Sequence, residues 1–133
     1  MDEKLQRYFN NDRFAAMCGL EIVECRPGYS RVQVQINDSH LNGAGYVHGG
    51  LLFTLADFCL GTAANAYGHI ALSVNSNITF IAKSSGGTLI AEAVEIGRSN
   101  PLFTYDVNIF SETGELLAHF TGMAYKTQRE IDI

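Results

Sequence analysis

The sequence predicts an α+β fold in which an antiparallel sheet curls around one long central helix, and three observations predict it. Residues 48–67 contain one residue certain to be charged at neutral pH, Asp57, with Leu51, Leu52, Phe53, Leu55, Phe58 and Leu60 spread around it. A helix apolar on all sides must be buried on all sides. Strand-like runs flank that stretch, two before it and four after it, each bounded by turn residues. The 133 residues, 47% hydrophobic and 17% charged, suit one core, so residues 1–133 read as a single domain. Helices and strands segregated in this order belong to α+β architectures.

In chain order, residues 3–17 place Leu5, Tyr8, Phe9 and Phe14 near helical spacing, with Asn10-Asn11-Asp12 as a break or new cap, which predicts one or two short helical turns. Ile22, Val23 and Cys25 lead into a Pro27-Gly28 turn. Val32, Val34 and Ile36 then alternate with Arg31, Gln33 and Gln35, giving a β-hairpin with one wet face. The central run, at about 20 residues, would reach ~30 Å, enough to span a bilayer. Asp57, Thr54, Asn65 and three glycines weigh against that reading. After Gly68-His69 come strands over 72–82, 88–96, 102–110 and 116–125, with Gly86-Gly87 and Thr113-Gly114 separating two of the pairs. In the third, Phe103, Tyr105, Val107 and Ile109 alternate with Thr104, Asp106 and Asn108, the period of a half-buried antiparallel strand.

Composition removes several function classes. Nine Lys+Arg against fourteen Asp+Glu leave a net charge of −5 without a basic run, so no nucleic-acid surface is expected and any anionic ligand must be met locally. Cys18, Cys25 and Cys59 lack C-x-x-C spacing, which argues against a disulfide framework or zinc knuckle and for a reducing, cytoplasmic compartment. The charged N-terminus carries no secretory signal. His40, His48, His69 and His119 form neither an i, i+4 pair nor H-E-x-x-H, so no metal site is expected. No G-x-S-x-G elbow occurs. Cys59, about 160° round a regular helix from Asp57, reads as a small core residue.

Two features carry chemistry. Asn42-Gly43-Ala44-Gly45-Tyr46-Val47-His48-Gly49-Gly50 enters the apolar helix. Its G-x-G-x-x-H misses the dinucleotide fingerprint, whereas unpaired N–H groups and the positive dipole end at a helix start make a donor site for a carbonyl oxygen gaining negative charge. The alternative is that these glycines serve only a tight loop. Asp57, inside an apolar helix, pays desolvation unless it has partners or a task. His48 and Asp57 are nine positions apart, hence ~13 Å apart along one helix and on opposite sides of it. Two antiparallel copies of the helix related by a two-fold axis would set Asp57 of one subunit opposite the His48-Gly49-Gly50 entrance of the other, which predicts an obligate homodimer with shared active sites.

The pattern N-x-x-G-x-x-H-G-G, here Asn42, Gly45, His48, Gly49 and Gly50, with the acidic Asp57 seven positions on, resembles the hotdog-fold acyl-CoA thioesterases. The Ser73-Val74-Asn75-Ser76-Asn77-Ile78-Thr79 run is similar to the S-V-x-x-N-I-T of their PaaI-like, phenylacetate-degradation branch. The resemblance implies an acyl-CoA substrate, no cofactor beyond the coenzyme A that is part of it, and a homodimer, two of which join as a tetramer, with no nucleic-acid or membrane partner. It implies that the Gly49 amide polarises the thioester carbonyl beside Gly50, that His48 and Asn42 help hold substrate and water, and that Asp57 of the facing subunit acts as general base or as nucleophile. Ser73 matches a hydroxyl position that orients the lytic water. Leu52, Phe53, Phe58 and Phe80 either line the acyl slot or form ordinary core. Thr54 hydrogen-bonds within its helix or to substrate. Lys83, Arg98 and Lys126 either meet CoA phosphates or are solvated surface. Aromatic, medium-chain and long-chain acyl groups all fit an apolar slot. The alternatives are an acyl-thioester dehydratase or hydratase on the same fold, and a non-catalytic acyl-CoA-binding module, which would ordinarily carry an attached DNA-binding helix-turn-helix.

Overall fold

The structure, a computed structural model, describes residues 1–132. Two short helices open the chain, α1 at Glu3–Asn10 and α2 at Arg13–Cys18. Each starts on an aspartate whose side chain accepts a backbone N–H of the first turn, Asp2 from Leu5 and Asp12 from Ala15. Helix α2 stops at Gly19, whose φ of 80° is the left-handed cap that an L side chain rarely adopts. Strands β1 (Glu21–Arg26) and β2 (Tyr29–Gln35) form the expected hairpin, and α3 (Gly49–Asn65) follows after a short 3₁₀ turn at Asp38–His40. Strands β3 (His69–Phe80), β4 (Thr88–Ser99), β5 (Leu102–Ser111) and β6 (Leu116–Glu130) complete one six-stranded antiparallel sheet in the order β1-β2-β4-β5-β6-β3.

One face of the sheet wraps α3. Leu55, Ala56, Cys59, Leu60 and Ala63 of the helix are fully buried with Val32, Val34, Leu89, Ala91, Tyr105, Val107, Ile109, Ala118 and Phe120 of the strands. Gly122 of β6 makes room for the helix, since a Cβ there would stand 2.5 Å from Leu60 Cδ1. The polar groups in this interior pair with one another. Thr62 Oγ1 donates to Ser30 Oγ at 2.7 Å, and Asn65 bonds both the N–H and the C=O of Ala71, acting as a short extra strand for the start of β3.

The bounds of α3, β3, β4 and β6 differ from the sequence reading. Helix α3 spans Gly49–Asn65, with His48 outside it as N-cap and Ala66 as C-cap. Strand β3 starts at His69, before the apolar alternation begins, because the ladder to β6 already pairs His69 with Glu130. Strands β4 and β6 run on to Ser99 and Glu130 for the same reason, since ladder bonds persist where apolar patterning has lapsed.

A further difference bears on function. Helix α3 is not covered on every side by its own chain. Phe53, 37% exposed, and the half-buried Thr54, Asp57, Phe58 and Gly61 form a stripe that the sheet leaves open. Gly50 lies on the same side, seven residues from Asp57, or about two turns. Strand β3, at the sheet edge next to this stripe, exposes Leu72 by 58% and Val74 by 56%.

Candidate active site

The entrance to α3 is built by a loop closed on itself. The Asn42 side-chain oxygen accepts the N–H groups of Ala44 at 2.9 Å and Tyr46 at 3.1 Å, while the Asn42 backbone N–H donates to the Tyr46 carbonyl at 2.7 Å. An isolated bridge joins Leu41 to Val47, and Val47 N–H donates to the Ser84 carbonyl. The Asn42 oxygen is therefore spent on the loop, and only its side-chain NH₂ is left for a substrate or water. That narrows the role expected of Asn42 to a donor.

His48 caps the helix. Its Nδ1 accepts Gly50 N–H at 2.8 Å, and its carbonyl accepts from Leu51 and Leu52. An acceptor at Nδ1 puts the hydrogen of the neutral ring on Nε2, where His48, itself exposed, can donate outward. The capping bonds account for the N–H groups of residues 50, 51 and 52, and among the described residues Gly49 N–H has no acceptor. A single backbone donor thus remains at the positive end of α3. The Phe80 ring leans over Gly49, so that a Cβ there would lie 3.0 Å from Phe80 Cζ. A Cβ on Gly50 would lie 2.9 Å from His48 Nδ1.

Asn42, Tyr46, Gly49, Leu52, Phe80 and Lys83 line one cavity of about 800 Å³. Lys83 Nζ stands 4.8 Å above the Tyr46 ring at this cavity. Asp57 and Ser73 line a different cavity of about 240 Å³, together with Tyr8, Phe9, Phe58 and Leu72. There Ser73 Oγ donates to Asp57 Oδ1 at 2.7 Å. The pairing depends on a bulge in β3, where the register slips between Ser73 and Asn75. Ser73 lies opposite the buried Ala124 and Ile78 opposite the buried Phe120, so the extra residue lets side chains of both parities turn toward the helix. Asp57 is half-buried in the chain and not enclosed, a correction to the reading that its own helix is covered all round. The two cavities share no lining residue.

The remaining candidates fall in four places. Thr54 Oγ1 donates to the Gly50 carbonyl at 2.8 Å, within the helix. Phe53 packs edge-on against Phe120 at 5.3 Å, lining neither cavity. Arg98 pairs with Glu95 at 3.5 Å and lies near the rings of Tyr67 and Phe103, beyond the C-terminal end of α3, so the chain does not bring it to Lys83. Lys126 lines a separate surface cavity with His69 and Tyr125. Burial pushes the Cys59 thiol up to about 12, which leaves no thiolate for nucleophilic attack at neutral pH. Among the described residues no three His, Cys, Asp or Glu side chains gather as a metal site. Tyr46, Tyr8 and Phe9, read in the sequence only as loop and helix residues, line the two cavities, and His40, weighed there only as a metal ligand, accepts His48 N–H through its carbonyl. Tyr46 stands inside the motif and was open to discovery, whereas Tyr8 and Phe9 reach Asp57 only through tertiary packing.

Residues 44–118 match the family described as the thioesterase superfamily. The chain belongs to that superfamily. A relative from Archaeoglobus fulgidus is 32% identical over 132 residues, covering 98% of this chain and 86% of its own length. The acyl-coenzyme A thioesterase PaaI of Escherichia coli is 29% identical over 119 residues, covering 89% of this chain and 85% of that protein. The solved structure of the E. coli PaaI protein from the phenylacetic acid degradation operon superposes with a TM-score of 0.92 at 27% identity, over 98% of this chain and 95% of that one. A Streptococcus pneumoniae thioesterase protein solved with coenzyme A gives 0.86 at 25% identity, over 94% and 98% of the two chains. The six-stranded sheet around α3 is the hotdog fold, the superfamily member is PaaI-like, and as a thioesterase it is a hydrolase.

Proposed function

We propose that this thioesterase hydrolyses acyl-CoA thioesters, with aromatic or medium- to long-chain acyl groups, at sites shared between two subunits. The observation that carries the reading is the split between Gly49, with its free N–H in one cavity, and the Asp57–Ser73 pair in another, both beside the open stripe of α3. Two copies facing each other antiparallel across that stripe would unite the halves and cover Phe53, Leu72 and Val74. Relatives support the substrate class, one named an acyl-coenzyme A thioesterase and another solved with coenzyme A.

In this mechanism the thioester oxygen lies against Gly49 N–H, with His48 Nε2–H and the Asn42 NH₂ as further donors. Asp57 of the partner subunit takes a proton from water held by Ser73, the water oxygen bonds to the carbonyl carbon, and the C=O pair moves onto oxygen. When that pair returns, the C–S bond breaks and the proton on Asp57 passes to the CoA thiolate. In the alternative, an Asp57 oxygen bonds to the carbonyl carbon, the C–S bond breaks to leave a mixed anhydride and CoA thiolate, and water then opens the anhydride, freeing the acid and Asp57 and passing one proton to the thiolate. Lys83, beside Tyr46 at the cavity, would meet CoA phosphates, whereas Arg98 is engaged by Glu95. Apolar residues on the outer sheet face, among them Val94 and Ile96, would let two dimers join. Three free thiols suit a reducing cytoplasm, and no helix among the described residues is long and apolar enough to cross a membrane.

Free-thiol release from a panel of aryl, medium-chain and long-chain acyl-CoAs tests the proposal, with wild type beside Asp57→Asn. Hydrolysis by wild type and a kcat lowered by ~10² or more in the variant are expected. Near-normal kcat in the variant would contradict the role of Asp57. Tight CoA-ester binding without release would favour a binding module.

A further inference from the structure

His40 stands two residues before the motif that marks the site, yet both its ring nitrogens and both its backbone polar groups are hydrogen-bonded. It is buried, 6% exposed, in the 3₁₀ turn that precedes the loop. Its Nδ1 accepts Asn37 N–H at 3.0 Å, and its Nε2 lies 2.8 Å from the Cys18 carbonyl. Because Nδ1 is an acceptor, the neutral ring carries its hydrogen on Nε2 and donates it to Cys18, the last residue of α2, where helical carbonyls lack intrahelical partners. The backbone of His40 is engaged as well. Its N–H donates to the Asn37 carbonyl at 3.0 Å, and its carbonyl accepts His48 N–H at 2.8 Å.

That last bond joins His40 to the chemistry. His48 caps α3, and its capping bonds occupy the N–H groups around Gly49 while leaving Gly49 N–H itself unpaired. The direction of this N–H therefore follows the position of His48. That position is set by the carbonyl of a residue whose ring is fastened to the end of α2. The loop carrying Asn42 and Tyr46 also leaves and returns through the His40–His48 pair, with the Leu41–Val47 bridge directly above it. We propose that His40 is a positioning residue which, through His48, aims the Gly49 N–H and holds the Asn42–Tyr46 loop in register with it. The inference rests on the reading that Gly49 N–H receives the thioester carbonyl.

An oxyanion donor contributes most in the transition state, so its misalignment lowers kcat more than it raises KM. The test compares wild type, His40→Ala and His40→Gln with Val107→Ala, a core variant on β5 that lines neither cavity, which serves as control for lost stability. Each is assayed on an acyl-CoA that wild type hydrolyses, with Tm and subunit mass measured alongside. His40→Ala is expected to stay folded and lose roughly 10- to 100-fold in kcat, with KM and the Kd for free CoA within about two-fold of wild type. His40→Gln, whose side-chain amide can still donate to the Cys18 carbonyl, is expected to recover part of that loss. Val107→Ala is expected to lower Tm without lowering kcat. A His40→Ala loss no larger than that of the control, a loss confined to KM, or failure of both His40 variants to fold would overturn the assignment and leave His40 a residue of stability alone. Wild type inert toward every thioester would instead overturn the reading of Gly49 on which the inference stands.

Discussion

Gly49 and Gly50 lack side chains for separate reasons, one to admit the Phe80 ring and the other to admit the His48 imidazole. The sequence motif was legible as a helix entrance, but which glycine offers its N–H depends on the tautomer and placement of His48, which spacing does not reveal. The structure makes a backbone donor testable by substitution. Gly49 is the first residue of α3, where proline is well tolerated, and His48 before it has the extended backbone that proline requires, with φ −63° and ψ 134°. Gly49→Pro should keep the fold and remove the donor, lowering kcat by about 10²- to 10³-fold. Gly49→Ala crowds Phe80 similarly yet keeps the N–H, so steady-state kinetics of the pair separate crowding from donation. Equal kcat in the two variants would assign the effect to crowding.

At the scale of elements, strands β2, β4 and β5 were readable because buried and half-buried positions alternate along them. The bulge in β3 was not, because its cause is the cross-strand register with β6. Helix α3 was found from its apolar run, and its buried side holds Cys59 with the thiol pushed from 9.0 up to about 12 by burial. Below about pH 9 this thiol is neutral whether the chain is folded or not. Above it only the unfolded chain ionises, so folded stability falls as pH rises from 9 toward 12, by ~1.4 kcal/mol per pH unit for one such group. Urea unfolding from pH 8 to 11 should show a shallower alkaline decline in Cys59→Ala than in wild type. A residual decline should persist, because Cys25 and Tyr105 are also shifted upward by burial. Identical slopes would contradict the assignment to Cys59.

For the whole molecule, the expectation of complete burial around α3 fails within one chain and points beyond it. Phe53, Leu72, Val74 and Phe80 lie exposed along the open side of the helix and the neighbouring edge strand. Periodicity reports that a face is apolar, not which chain covers it. The same open side separates Gly49 from Asp57, and shared sites would join them. Subunit mixing tests this most directly. Neither Asp57→Asn nor Gly49→Pro alone should turn over substrate appreciably. After exchange verified by mass, each mixed dimer would hold one site with Gly49 and Asp57 both intact, so an equal mixture should recover about a quarter of wild-type activity. Activity of the exchanged mixture no higher than the mean of the two separate variants would contradict the shared site.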